Sequence, residues 1–203
     1  MKGLYLVTPS WDDTAALVAA TSNALRVGAA LVQYRHKTAS PELRQAQASQ
    51  LLALCRRHSV PFIINDFVDL CLEIGADGVH VGGTDASPAE ARKLLGVGKI
   101  VGASCYGDRQ LAMDAAANGA SYVAFGGFYP SKVKQYQVTT AADIVSWAKA
   151  EIALPCVVIG GMTPANAAPL VARGADMVAA ISSVYGAPSI EVAMHEFVQL
   201  FVK

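Results

Sequence analysis

Short runs of continuous apolar residues recur along the chain at near-regular intervals, separated by stretches with helical spacing. The runs at residues 4–8, 30–35, 62–66, 78–81, 100–105, 122–126, 156–161 and 177–182 read as strands. Their apolar residues are mostly consecutive rather than alternating, the pattern of strands buried on both faces. Between them lie Ala- and Leu-rich stretches. Leu17, Ala20, Ala24, Leu25 and Gly28 predict one face of the first helix, and Leu43, Ala46, Leu51 and Leu54 one face of the second. Ser40-Pro41, Ser87-Pro88 and Thr163-Pro164 each read as an N-cap followed by proline at the first helical position.

A second periodicity marks the helix ends. Val27-Gly28-Ala29-Ala30, Ile74-Gly75-Ala76-Asp77, Asn118-Gly119-Ala120-Ser121 and Arg173-Gly174-Ala175-Asp176 each stop a helix and lead into the next strand. Eight strand-plus-helix units in 203 residues average about 25 each, near the lower size limit of a (β/α)8 barrel. An open doubly wound sheet is the alternative, but no glycine-rich first turn supports it. The chain is therefore expected to be α/β, a single (β/α)8 TIM barrel forming one catalytic domain over residues 1–203.

Composition narrows the function classes. Sixteen Lys and Arg balance sixteen Asp and Glu, so nothing suggests a nucleic-acid or membrane-surface partner. Mean hydropathy is +0.36, yet no apolar run approaches the roughly 20 residues of a membrane helix. The N-terminal segment is cut by Pro9, Asp12 and Asp13 and does not read as a secretory signal. Cys55, Cys71, Cys105 and Cys156 are scattered and read as buried thiols, which points to a cytoplasmic protein. A homo-oligomer is compatible with all of this.

In a barrel of this kind, chemistry sits at the C-terminal ends of the strands. Polar residues collect there. Strand alternation puts Gln33, Arg35 and Lys37 on one side and Tyr34 and His36 on the other. The two cations suit a phosphate or diphosphate, or else Arg35 pairs with a neighbouring carboxylate. Asn65-Asp66 and Asp85 end adjacent strands, and two carboxylates with open positions suit Mg²⁺ when substrate phosphates complete the shell. The competing reading makes Asp66 and Asp85 helix caps.

Gly160-Gly161 and Ile181-Ser182-Ser183 lie where such barrels often build a phosphate site, or form a tight turn. Residues 126–140 form the longest connection and carry Ser131, Lys132 and Lys134, a candidate lid or a solvated basic loop. His80 reads as a core histidine. Cys105 beside Ser104 has no matching histidine or acid, so no triad is supported.

With those residues in place, the chain resembles the thiamine-phosphate synthase family over essentially its full length. The motifs are Leu4-Tyr5-Leu6-Val7-Thr8, Val32-Gln33-Tyr34-Arg35-His36-Lys37, Ile64-Asn65-Asp66-Phe67-Val68-Asp69-Leu70 and Gly75-Ala76-Asp77-Gly78-Val79-His80-Val81-Gly82. They continue with Ala124-Phe125-Gly126-Gly127-Phe128-Tyr129-Pro130-Ser131 and Ile159-Gly160-Gly161-Met162.

The resemblance implies a Mg²⁺-dependent transferase. It would condense the diphosphate of 4-amino-5-hydroxymethyl-2-methylpyrimidine with 4-methyl-5-(2-hydroxyethyl)thiazole phosphate, or its carboxylated form, releasing diphosphate by way of a pyrimidine-stabilised carbocation. Carried over, Gln33, Arg35, Lys37, Asn65, Ser104, Ser131 and Lys134 would bind the pyrimidine diphosphate. Lys134, Ser104, Arg35 and Lys37 would act in catalysis. Asp66 and Asp85 would hold Mg²⁺, and Gly161, Ile181 and Ser182 the thiazole phosphate.

The chain departs from the family pattern at Gly83, Phe67 and Val133, where Gln, Arg and a second Thr are usual, which bears on diphosphate affinity. A sister family of thiazole tautomerases uses a histidine after the sixth strand, where this chain has Gly127. A tautomerase and a non-catalytic phosphate-binding barrel are the alternative functions.

Overall fold

The strands begin where the Gly-Ala stops end, and in three of the four repeats the next polar residue ties down the start of the neighbouring strand. The structure, a computed structural model, describes residues 1–82, 86–130 and 140–202. Gly28, Gly75, Gly119 and Gly174 all take positive φ, which glycine adopts without a Cβ penalty. Asp77 Oδ2 then accepts from the Phe62 N–H, Ser121 Oγ from Val101, and Asp176 Oδ2 from Cys156, at 2.8, 3.1 and 2.8 Å. Each contact satisfies an N–H within the first two residues of a neighbouring strand, a donor that would otherwise be lost at the barrel floor. The first repeat carries Ala30 instead and has no such staple.

Eight parallel strands close on themselves in sequence order, β1 through β8. They are β1 (Gly3–Val7), β2 (Leu31–Tyr34), β3 (Phe62–Asn65), β4 (Gly78–Val81), β5 (Ile100–Tyr106), β6 (Tyr122–Gly126), β7 (Cys156–Ile159) and β8 (Met177–Ala180). Pairing of Leu4 with Val178 and Tyr5 with Ala179 closes the ring. The expected TIM barrel is the fold of the protein.

Helices α1 (Thr14–Val27), α2 (Pro41–Arg57), α3 (Val68–Ile74), α4 (Pro88–Leu95) and α5 (Arg109–Ala117) alternate with the strands. They are followed by α6 (Asp143–Glu151), α7 (Pro164–Ala172), α8 (Ser182–Tyr185) and α9 (Ile190–Gln199). Ser40, Ser87 and Thr163 are the N-caps the sequence predicts, the last two in full capping boxes.

Four expectations need correction. β7 stops at Ile159 rather than residue 161, because Gly160 and Gly161 turn the chain at positive φ. β8 stops at Ala180 rather than residue 182, because Ile181 turns the chain into the short helix α8. Consequently nine helices, not eight, are found among the described residues. On α2 the buried face includes Gln47 while Ala46 is exposed. The polar side chain goes inside because it is satisfied there: Tyr34 Oη donates to Gln47 Oε1 at 2.9 Å, and Gln47 Nε2 donates to the Trp11 carbonyl at 2.9 Å.

Strand alternation divides the apolar residues into two layers. Leu6, Val32, Ile64, Val79, Val101, Phe125 and Val158 pack outward against the helices. Tyr5, Val7, Leu31, Ile63, Tyr122, Ala124, Val157, Met177 and Ala179 fill the barrel. Burying a residue of this size contributes about 1.5–3 kcal/mol, so the two layers supply most of the stability.

One cation staples the floor. Arg92 on α4 donates to the carbonyls of Gly119, Gly96 and Lys99 at 3.0, 2.7 and 2.6 Å and to Ser121 Oγ at 2.9 Å. Arg92→Ala is expected to destabilise the fold by about 2–3 kcal/mol, since it leaves several part-buried carbonyls without their charged donor. Urea unfolding measures this, with Arg57→Ala, an exposed arginine that ends α2, as the reference.

Candidate active site

The strand ends open on a cavity of about 330 Å³, within the usual range for a small-molecule site. Its lining falls into three parts. Tyr5, Gln33, His80 and Ser104 make a polar wall, while Val7, Ala124, Val157, Ile159, Ala179 and Ile181 make an apolar one. The rim carries Arg35, Lys37, Asn65 and Asp66 on one side and Gly160, Gly161, Ser182 and Ser183 on the other.

The parity read from the sequence holds through β2 and beyond. Gln33, Arg35 and Lys37 line the cavity. Tyr34 faces Gln47 on α2, and His36 Nε2 meets Asp12 Oδ1 at 2.9 Å. Arg35 is fixed through its backbone, whose N–H donates to Thr8 Oγ1 at 2.9 Å, while its Nε is buried with no partner among the described residues. Asn65, 7% exposed, likewise leaves Nδ2 unpartnered among them. Two buried donors without a partner among the described residues are what an anion-binding rim presents before its ligand arrives.

Asp66 is not a helix cap. Phe67 holds the N-cap position of α3, and Asp66 itself adopts the left-handed conformation at φ 67, a region that aspartate tolerates better than most residues. Its carboxylate pairs with Lys37 Nζ at 2.8 Å and is 15% exposed. Asp66 is the acidic residue of the cavity among the described residues, which contain no cluster of three or more His, Cys, Asp or Glu. One hard carboxylate beside unpartnered anion donors fits Mg²⁺, which keeps several waters and shares phosphate oxygens. It does not fit Zn²⁺, since all four cysteines are buried and none lines the cavity. The second expected ligand, Asp85, lies outside the described residues, as do Ser131, Lys134, Gly83 and Val133.

Phe67 is covered by the Arg44 guanidinium, 3.6 Å from the ring centroid. The position where the resemblance expects arginine therefore has an arginine above it, from α2.

Gly160 and Gly161 take φ of 113 and 60. Their close approach is to the chain itself: a Cβ on Gly161 would lie 2.3 Å from the Pro130 carbonyl oxygen, and one on Gly160 2.8 Å from the Gly127 nitrogen. The capping box at Thr163 and Asn166 occupies donors at the start of α7, and Asn166 Nδ2 donates to the Gly161 carbonyl at 2.9 Å. α8 begins at Ser182 without a side-chain cap.

Cys105 is fully buried and its thiol is pushed up to about 12, chiefly by desolvation, so it stays protonated and unreactive. His80 sits inside the barrel as expected, but with more partners than a filler needs: Nδ1 meets Tyr122 Oη and Nε2 meets Ser104 Oγ, each at 2.8 Å. Tyr122 Oη also meets Tyr5 Oη at 2.8 Å, and Gln33 Nε2 donates to Tyr5 Oη. Tyr5 and Tyr122 carry the middle of this chain, and the sequence reading missed both. The available signal was parity, because both point inward on apolar strands where a phenolic hydroxyl needs a partner.

The wider comparisons agree with this geometry. A family model described as thiamine monophosphate synthase matches residues 4–184. A thiamine-phosphate synthase from Janthinobacterium sp. (strain Marseille) is 64% identical over 203 residues, covering 100% of this chain and 98% of the relative. One from Nitrosospira multiformis is 48% identical over 201 residues, covering 99% of this chain and 86% of the relative. Among solved structures, a thiamine phosphate pyrophosphorylase from Pyrococcus furiosus superposes with a TM-score of 0.85 at 28% identity, covering 98% of this chain and 94% of that one. A 3-hexulose-6-phosphate synthase, at 20% identity and a TM-score of 0.73 over 98% of this chain and 99% of that one, shares the fold. The length of the family match and the identities across the whole barrel lead to one assignment: the chain belongs to the thiamine monophosphate synthase family of enzymes.

Proposed function

We propose that this chain is a thiamine-phosphate synthase, a transferase that joins 4-amino-2-methyl-5-(diphosphooxymethyl)pyrimidine to 4-methyl-5-(2-hydroxyethyl)thiazole phosphate, or its carboxylated form, with Mg²⁺. The observation that carries the reading is the pair of buried donors, Arg35 Nε and Asn65 Nδ2, left unpartnered among the described residues beside Lys37 on the cavity rim. Each such donor costs about 1–3 kcal/mol while unpaired, and a diphosphate at the rim offsets that cost.

The chemistry asks for charge neutralisation. The bond between the pyrimidine methylene and the diphosphate oxygen breaks with its electron pair leaving on the diphosphate. The thiazole nitrogen then supplies the pair that forms the new C–N bond. Arg35, Lys37 and Asn65 hold the departing oxygens, and donors placed where charge develops lower the barrier. Asp66 would hold Mg²⁺, and Lys37, its ion-pair partner at 2.8 Å, would then be available to the diphosphate. When bound, the ion supplies further neutralisation of the leaving group. The apolar wall of Val157, Ile159, Ala179 and Ile181 keeps water from the cationic carbon.

Gly127, with φ 82, offers no imidazole for a proton shift, which disfavours the tautomerase reading. Purified protein is expected to make thiamine phosphate only when both precursors and Mg²⁺ are present, and EDTA is expected to abolish it. Turnover of the carboxylated thiazole phosphate alone, without metal or pyrimidine, would replace this reading by the tautomerase.

A further inference from the structure

Lys37 and Asp66 follow different strands, yet their charged ends meet on the cavity rim at 2.8 Å. Asp66 stands at the centre of a three-residue turn. The Phe67 N–H donates to the Asn65 carbonyl at 2.9 Å, and φ at Asp66 is 67. A turn of this kind with positive φ at its centre is rare and strained. It persists only where the surrounding structure holds it.

One side chain touches both loops. Arg44, in the first turn of α2, donates from Nη2 to the Ala39 carbonyl at 2.9 Å. Its guanidinium carbon lies 3.6 Å from the centre of the Phe67 ring. Ala39, two residues beyond Lys37, is buried, and Phe67, next to Asp66, packs against the core. Both anchors are therefore firm, and the ion pair is carried between them. Arg44 makes no ion pair of its own among the described residues, and its Nε is buried without a partner among them. A part-buried guanidinium without a carboxylate carries a desolvation cost that an apolar side chain of the same length avoids. What the guanidinium supplies is a planar fork that reaches a carbonyl and an aromatic face at once.

We propose that Arg44 is a positioning residue. By tying Ala39 to Phe67 it sets the spacing of Lys37 Nζ and the Asp66 carboxylate, and with it the strength with which the rim takes magnesium diphosphate. Phe67 is the matched partner, because its ring face attracts a cation. The identity of the ligand rests on the synthase reading, but the tie between the loops does not.

Two readouts separate these. Hydrogen exchange followed by NMR reads the tie with no ligand present. In Arg44→Met the Phe67 amide, which closes the strained turn, is expected to exchange about tenfold faster or more, while the amides inside the strands keep their rates. Calorimetry with inorganic diphosphate and Mg²⁺ then reads the rim without turnover. Arg44→Met is expected to weaken that binding by about 10- to 100-fold, the usual cost of losing a group that orients a ligating side chain. Phe67→Leu should do the same, and Phe67→Tyr, which keeps the ring face, should bind within about threefold of the wild type. The double variant Arg44→Met with Phe67→Leu should be no weaker than the weaker single one, since both break one contact. Arg57→Met removes the same charge from the exposed end of α2 and is the control.

A purely structural Arg44 would lower the melting temperature and leave the diphosphate affinity of the folded protein unchanged, which overturns the proposal. So do losses that add in the double variant, or an equal loss in Arg57→Met. Should Arg44→Met fail to fold, Phe67→Leu against Phe67→Tyr decides, and equal affinity of those two overturns it. Product formation in the coupled assay with an affinity indifferent to Arg44 overturns the proposal and leaves the synthase reading intact. Absence of product with an Arg44-dependent affinity removes the synthase reading and keeps the tie.

Discussion

Asp66→Asn is expected to lower kcat by about 10³-fold, several kcal/mol of lost leaving-group stabilisation, while the pyrimidine KM changes by less than about tenfold. The substitution is nearly isosteric, and asparagine adopts the left-handed backbone that residue 66 requires, at φ 67, as readily as aspartate. The fold should therefore survive, which a thermal melt verifies. What changes is charge. Lys37, which pairs with the carboxylate at 2.8 Å, loses its partner and remains available to the diphosphate, so ground-state binding is partly preserved. On the proposed reading the metal would lose a ligand, so the Mg²⁺ concentration giving half-maximal rate should rise along with the fall in kcat. A steady-state series in both substrates and in Mg²⁺ reads all three quantities. An unchanged kcat at saturating Mg²⁺ would remove Asp66 from the metal site.

The second large effect concerns the barrel interior. Gly102→Ala is expected to destabilise the protein by about 3 kcal/mol and to reduce activity well beyond what the remaining folded fraction explains. The new Cβ would sit 2.1 Å from both Cζ and Oη of Tyr122. That ring cannot swing aside freely. It is held by hydrogen bonds of 2.8 Å to Tyr5 and His80 and lies parallel to the imidazole, the centroids 5.7 Å apart. Nor can the backbone retreat, because β5 is paired on both sides, His80 with Gly102 and Gly102 with Tyr122. Moving the ring breaks the chain that ends on Ser104, so the fold and the site fail together. Gly98→Ala, where nothing lies within 4 Å, is the control and should shift stability by less than about 0.5 kcal/mol. Equal stability of the two variants in urea would contradict the packing account.

The barrel was legible because burial on both faces leaves a strand little choice: runs such as Phe62-Ile63-Ile64 and Cys156-Val157-Val158 are apolar throughout. The rim was legible because polar residues in such strands have to lie at the open end, and Gln33, Arg35, Lys37, Asn65 and Asp66 all line the cavity. Other features depend on tertiary partners that no local pattern carries. Gln47 is buried because Tyr34 and Trp11 meet it there. Asp77, Ser121 and Asp176 read as ordinary turn residues, yet each serves a strand about 15–20 positions earlier in the chain. β8 was read two residues long because Ile181 is a good strand residue and the turn that follows is made by its backbone. Tyr5 and Tyr122 looked like strand formers, since propensity says nothing about a hydroxyl's partner across the barrel.

The central claim is that one cavity couples departure of diphosphate to capture by the thiazole. Rapid-quench sampling of the protein with both precursors and Mg²⁺, counting thiamine phosphate and released diphosphate in the same aliquots, tests it most directly. The account predicts equal amounts of the two from the first turnover onward, and neither in EDTA. Diphosphate released in excess of thiamine phosphate, or no product from folded protein, would contradict it.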